Sequence, residues 1–421
     1  MSKLLKKGFT AGIIVLIVMF AVSSVVMAAA KDEVLYQKCE EHKAPLLTDL
    51  ENYVNIDSGS TYEPGLKKFQ GLLIERLKEL GAEVTYTEVN KPQAGYNIQA
   101  VFRGIGKGSA LILAHADTVY AAGTAEKRPF STDGVKAYGP GVSDEKGGLT
   151  LALHALAILK ETGFQDYEKI TFLINPDEEK SSLESRDVIK QVAKEHKYAL
   201  CVEPGIPGDY VMNWRKGIGR LTMQVTGRNA HAGIEPEKGR NATVELAHQI
   251  VQLSKLGDPA KMTTVNWTLL DKTKTPVNVI PDAAWAQADV RVLYPEEFDR
   301  VLNDAQKIAK KQLVPDTKVE FDLFRGRPPF AKNDKTEKLV AHLQDIYSKE
   351  LGMSLGIQGS GGGSDANYAA IVGAIAVDGL GIVGGNDHTP DEFVEVASIT
   401  PRLYLLTRVL MDIGSGADSA W

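Results

Sequence analysis

Histidines and carboxylates stand at the ends of short apolar runs along this chain, and that placement constrains the fold more than any other feature. Residues 109–114 deliver His115 and Asp117 in LILAHAD, residues 170–174 lead to Glu178 and Glu179 in NPDEEKSS, and residues 198–202 present Glu203 in CVEPG. Asp144 lies in the glycine-rich GPGVSDEKGG, and His388 in GNDHTP near the C-terminus. After Asp144, Leu149, Ala152, Leu153, Leu156 and Leu159 recur at helical spacing. Strands alternating with helices predict an α/β domain with a mixed, largely parallel sheet. In such open sheets, sites gather beyond the carboxyl ends of the strands.

The first thirty residues are set apart from the fold. Lys3, Lys6 and Lys7 precede an apolar run over 11–22, followed by small residues over 26–30, the layout of a cleaved signal peptide. The expected location is periplasmic or secreted, with an uncleaved membrane anchor as the alternative. The roughly 390 residues that remain exceed one ordinary domain. Residues 31–213 and 327–421 are expected to form the catalytic domain. Between them, 214–326 read as an inserted ferredoxin-like α+β domain for dimerisation or closure. Its signals are the alternation of Leu221, Met223 and Val225, a helix over 242–256, strands over 263–270 and 284–293, a helix over 296–312 and a strand over 318–324, in the order β-α-β-β-α-β. A helix over 336–351, the loop GSGGGSDA and a strand over 374–377 follow. A net charge of -6 without a basic block argues against nucleic acid as a partner. Cys39 and Cys201 are too few for a disulfide scaffold, and Cys201, inside YALCVEP, reads as a buried free thiol.

Two imidazoles with several carboxylates are the donor set that a pair of zinc ions sharing one bridging carboxylate requires. His115 and Asp117 are two apart on a strand, so both side chains share a face and Asp117 can accept the second imidazole N–H. Asp144 has Gly139, Gly141, Gly147 and Gly148 around it, which let the backbone bend about a carboxylate facing two cations. Glu179 is expected to bind metal and Glu178 to stay unligated as the general base, since ligation of both would leave no base. Taken singly, these residues read as a polar strand end, a helix N-cap and a solvated acidic pair. Their combination makes the case for a metallohydrolase.

The ordered set resembles the co-catalytic di-zinc amidohydrolases, the family of aminoacylases, dipeptidases and glutamate carboxypeptidases, over nearly the whole mature chain. Glu203, a glutamate rather than an aspartate, together with FRGRPPF, GSGGGSDANYAA and TPRLYLLTRVLMDIG, resembles the glutamate carboxypeptidase branch. That likeness implies two zinc ions per subunit, with Asp144 bridging, His115 and Glu203 completing one site, Glu179 and His388 the other, and Glu178 as base. NAHAGIEPEKGRNA resembles the segment whose histidine crosses to a partner subunit, which would make His231 an oxyanion stabiliser in a homodimer. Asn278, Arg291, Arg327 and Gly363 match positions associated with substrate binding, and an arginine fork suits a terminal carboxylate. The implied reaction is hydrolysis of the amide to a C-terminal amino acid, glutamate first, from folate-type or other N-acyl compounds or peptides. The run NWRKG over 213–217 departs from the smaller neutral residues of that branch; Arg215 and Lys216 there could bind an acidic side chain, but such a pair on a strand lead-in reads first as solvated. The rival readings are a broader aminoacylase or dipeptidase and a non-catalytic periplasmic binding protein.

Overall fold

Successive side chains of the strand Ser109–His115 point to opposite faces, and both faces are buried. Ala110, Ile112 and Ala114 join a large core with the helices Glu33–Val54, Lys146–Glu161 and Ile399–Ser415. Leu111 and Leu113 join a second core with the helices Arg186–Ala193 and Ala366–Ile371. A strand covered on both sides is apolar throughout, which is why it reads as a continuous run rather than an alternation. The computed structural model describes residues 31–270 and 275–421, and the leader expected over 1–30 lies outside them. Among the described residues, no helix is long and apolar enough to cross a membrane.

The six-stranded sheet runs in the order Glu83–Glu88, Tyr96–Arg103, Lys169–Asn175, Ser109–His115, Tyr198–Cys201, Ile375–Val377. The pairings of Ser109–His115 with both neighbours and of Tyr198–Cys201 with Ile375–Val377 are parallel. The two pairings at the N-terminal edge are antiparallel, so the sheet is mixed and largely parallel as expected. Parallel neighbours end at the same side, and His115 pairs in register with Asn175, three residues before Glu178. The turn Glu178–Lys180 and Glu203 thereby come to the edge where His115 stands.

The second sheet holds four antiparallel strands in the order Thr264–Leu270, Ala283–Val292, Gly217–Thr226, Lys318–Arg325. With the helices Ala242–Leu253 and Glu296–Ile308 on one face, this is the ferredoxin-like arrangement expected of the insert. Leu221, Met223 and Val225 point into that core, while Arg220 and Gln224 face away from it.

Three local expectations change. The helix foreseen over 336–351 is α-helical only over Asp334–Asp345 and continues as a π-helical turn, Ile346–Glu350. The helices Glu33–Val54 and Glu63–Leu80, which cover the large core, were not foreseen. The run NWRKG is no solvated lead-in: Arg215 ends the strand Tyr210–Arg215, which pairs in parallel with Gly356–Ser360. Cys39 and Cys201 are both buried and unpaired, as Cys201 was expected to be.

Candidate metal centre

Asp144 is the hinge of the site. Its Oδ1 lies 2.9 Å from His115 Nε2 and its Oδ2 lies 3.1 Å from His388 Nε2, so its two oxygens face two imidazoles on opposite sides. Glu203 Oε1 stands 3.9 Å from His115 Nε2, and Glu179 Oε2 stands 3.4 Å from His388 Nε2. Among the described residues, two sets bring donor atoms within 4.8 Å of one another: His115, Glu178 and Glu203, and Asp144, Glu179 and His388. The five ligand candidates of the sequence and Glu178 therefore converge.

The loop holding Asp144 is fixed from outside. The Glu392 carboxylate accepts backbone N–H bonds from Gly141 (3.0 Å), Ser143 (2.9 Å) and Asp144 (3.0 Å). Gly148 lets the following helix lie against the strand that leads to Glu203, because a Cβ there would stand 1.7 Å from the Val202 carbonyl oxygen. A buried carboxylate spending its lone pairs on three amides is a strong clamp. Nothing in the sequence around Glu392 signals this role.

Asp117 takes on a second task beyond the one its spacing suggests. The strand ends at His115, whose Nδ1 lies 3.0 Å from the Asp117 carbonyl oxygen and 3.3 Å from its Oδ1. The carboxylate accepts from Ser60 Oγ (2.7 Å) and from the backbone N–H groups of Glu178 (3.0 Å) and Glu179 (3.2 Å). Asp117 thus orients one imidazole and, with the same carboxylate, fixes the turn that carries both glutamates.

Arg327 also departs from its sequence reading. It is 2% exposed, with Nη1 donating to Asp365 (2.9 Å) and Nη2 to Glu178 Oε1 (2.7 Å) and the Glu178 carbonyl (2.8 Å). The fork expected to take a substrate carboxylate is occupied by the general-base candidate, which is consequently ion-paired rather than free. Gly363 packs against this arginine, since a Cβ there would stand 2.7 Å from Arg327 Cδ. Arg291 donates to Asp289 and, through Nη1, to the Gly361 carbonyl (3.2 Å). His231 pairs with Val279 in the short pairing of Ala230–His231 with Val279–Ile280, Asn278 lies just before it with its carbonyl accepting from Ala232 N (2.9 Å), and both His231 and Asn278 are exposed. Among the described residues neither side chain bonds to the acidic cluster. His231 Nδ1 accepts only from its own neighbour, Gly233 N.

The electrostatics demand positive charge. Burial raises the pKa of Glu145, Glu179 and Glu203, and neighbouring carboxylates push each further in the same direction. Burial also pushes Glu178 up to about 8, with Arg327 and His115 opposing. Burial works against the charged form of Asp144 as well, but His115 and His388 overcome it and hold the carboxyl below its usual range. Glu145 Oε1, Glu179 Oε1 and Asp387 Oδ1 are buried without a hydrogen-bond donor. Buried anionic oxygens without partners, arranged around two imidazoles, fit divalent zinc, which takes nitrogen and oxygen donors at close range. Glu145 was not foreseen, although it is Asp144's neighbour in the sequence; its Oε2 accepts from His115 N at 2.8 Å.

Residues 111–412 match the model of Peptidase family M20/M25/M40. The chain is 38% identical over 398 residues to carboxypeptidase G2 of Pseudomonas sp. (strain RS-16), covering 94% of this chain and 95% of that protein. It is 30% identical over 301 residues to the succinyl-diaminopimelate desuccinylase of Maricaulis maris (strain MCS10), covering 68% of this chain and 75% of that protein. Among solved structures, aminopeptidase PepT of Bacillus cereus ATCC 10987 superposes with a TM-score of 0.75 at 21% identity, covering 88% of this chain and 98% of the other. The sheet order, the inserted domain, the converging donors and these matches together place the chain in Peptidase family M20/M25/M40 as a metallopeptidase-type hydrolase.

Proposed function

We propose that the chain is an exported, di-zinc carboxypeptidase that hydrolyses the amide joining an acyl group to a C-terminal amino acid, glutamate first. The observation that carries this reading is Asp144, whose two oxygens address His115 at 2.9 Å and His388 at 3.1 Å. His115, Asp144 and Glu203 would hold one ion and Asp144, Glu179 and His388 the other. Bound there, such a pair supplies Lewis-acid polarisation of the substrate carbonyl and acidifies water nearby.

The protein's own residues supply proton transfer and positioning. Arg327 holds Glu178 Oε1, which leaves Oε2 to take a proton from the attacking water and return it to the leaving nitrogen. Burial raises the pKa of Glu178, which favours its taking up a proton. Asp117 keeps the turn in place through two backbone amides, so Glu178 reaches the reacting atoms in one orientation.

His231 is assigned to the neighbouring subunit's site, where it would hold the developing oxyanion. Its exposure on the insert supports that assignment, as do the exposed Val244 and Val251 on the helix Ala242–Leu253 and the open edge of the strand Thr264–Leu270, features suited to a homodimer contact. Arg291 and Asn278 remain candidates for substrate contact. Export rests on the charged and apolar layout of residues 1–30 and is checked by mass spectrometry of the mature N-terminus.

The desuccinylase relative favours a second reading, an amidohydrolase of broader acyl scope. Chelator-treated protein should lose hydrolysis of N-acyl amino acids and regain it with zinc. A panel of matched N-benzoyl amino acids then separates the two readings: strong preference for glutamate supports the first, equal release of neutral residues the second. No hydrolysis across the panel by zinc-loaded protein defeats both and leaves a binding protein.

A further inference from the structure

Arg215 is an arginine held in place with its working end unused. It is 8% exposed, and its Nε donates to Asp378 Oδ2. Asp378 is fully buried and also accepts from Ser364 Oγ and Gly379 N, so the anchor is rigid. Among the described residues, the two terminal nitrogens of Arg215 donate to no acceptor. Nη1 stands 3.9 Å from where a Cβ on Gly362 would lie, which sets the open edge of the guanidinium along the bare loop 361–363.

That loop borders the metal centre. Gly363 packs on Arg327, which grips Glu178. Burial works against the charge of Arg215, but Asp378 and then Glu203 overcome it and raise its pKa; Asp387, next to His388, also feels the arginine. More positive charge lies by the same loop. Lys216 donates its backbone N–H to the Ser360 carbonyl (3.0 Å), and its half-buried amino group makes no ion pair or hydrogen bond among the described residues. Its pKa is lowered by burial and then by Arg291, which itself bonds to Gly361.

We propose that the terminal nitrogens of Arg215 receive the side-chain carboxylate of the amino acid being released, which makes Arg215 the residue that selects an acidic C-terminal residue. The inference rests on the amidohydrolase reading above and assigns its selectivity to one side chain. A guanidinium anchored through Nε keeps two parallel N–H groups in the planar fork that matches a carboxylate. Donors that a bound ligand shuts off from water without pairing are costly, so a site built this way discriminates strongly against a ligand that fails to complete them. Glycines at 361–363 put no side chain between the fork and the cleft. The alternative role for Arg215, neutralising Asp378 within the core, predicts no effect on selectivity.

The test compares glutamate with glutamine, which differ in the side-chain charge. Calorimetric titration of zinc-loaded full-length protein with each free amino acid should show roughly 10- to 100-fold tighter binding of glutamate, the range expected of hydrogen bonds to a charged group. Arg215→Gln should collapse that ratio to about threefold or less, and Arg215→Lys should restore part of it. With N-benzoyl-glutamate as substrate, the loss should fall mainly on KM. Because the single variant strips Asp378 of its cation, the double variant Arg215→Gln/Asp378→Asn, checked by thermal melting, should show the same collapse. Parallel weakening of both amino acids, or a wild-type protein that binds them equally, overturns the proposal. A preserved binding ratio in a protein that hydrolyses neither N-benzoyl-glutamate nor N-benzoyl-glutamine would sink the hydrolase reading and leave the Arg215 assignment standing. Equal hydrolysis with equal binding does the reverse.

Discussion

The ion pairs around the ligand cluster are buried, and those at the outer strand of the inserted sheet stand in water. Around the cluster, Arg327 pairs with Glu178 at side-chain exposures of 2% and 11%, and Arg215 pairs with Asp378 at 9% and 0%. On the outer strand Lys318–Arg325, Arg325 pairs with Asp299 at 49% and 60%, and Lys318 with Glu320 at 68% and 53%. Exposed pairs of that kind are worth about 0–1 kcal/mol, whereas breaking a buried pair costs about 3–5 kcal/mol because it strands the remaining charge. The difference teaches where substitution is expensive. Around the ligand cluster each charged residue supports the placement of another, so chemistry and stability are coupled; on the insert the helix-covered core carries the stability, and the surface is free to serve an interface.

The largest effect expected on this contrast comes from Asp144→Ala. On the proposed two-metal reading, loss of this carboxylate should empty both sites and reduce turnover by ~10⁴-fold or more, with metal content read by elemental analysis. Retention of one full equivalent of metal would show that the carboxylate is not shared. Glu178→Gln comes next: turnover should fall by ~10² to 10⁴ while metal content stays near wild type. Normal turnover in that variant removes the assignment of Glu178 as base.

His231→Ala crosses the comparison, since it removes the proposed oxyanion contact, which lies on the insert rather than in the ligand cluster. The expected loss is ~10² to 10³ in kcat. Mixing His231→Ala with Glu178→Gln subunits should recover activity, because each mixed dimer then assembles one complete site. No recovery on mixing would confine the site to a single subunit. Val251→Glu should produce monomers by sedimentation and take the His231 contribution with them, leaving the melting temperature within a few degrees of wild type.

The smallest effect tests the buried histidines on the helices Glu33–Val54 and Lys146–Glu161. His154 lies between His42 (2.8 Å) and Asp49 (3.1 Å), and burial lowers its pKa despite the hydrogen bond to Asp49. A folded pKa below the unfolded value of about 6.5 means that the unfolded chain binds more protons as pH falls. Stability should therefore be lost as pH drops below about 6.5, read as a falling urea midpoint, and His154→Gln should flatten that slope. An unchanged slope would show that His154 does not govern the acid limb.

Much of the fold and most of the donor set were legible in the sequence. Strands buried on both faces read as apolar runs, and donors placed just beyond them read as a metal centre, because the backbone period and the strand end are local properties. The helices Glu33–Val54 and Glu63–Leu80 escaped notice because their buried residues are interleaved with charged ones, which blurs the periodic signal.

What the sequence determined by itself was therefore the chemistry of the donors and their order along the chain. The partners of each charge belonged to the tertiary structure alone. Arg327 meets Glu178 across 149 positions, Arg215 meets Asp378 across 163, and Glu392 clamps the Asp144 amide across 248. Pairings over such separations are set by how the layers pack and by the cost of leaving a buried charge alone, and neither is written in any short stretch of residues.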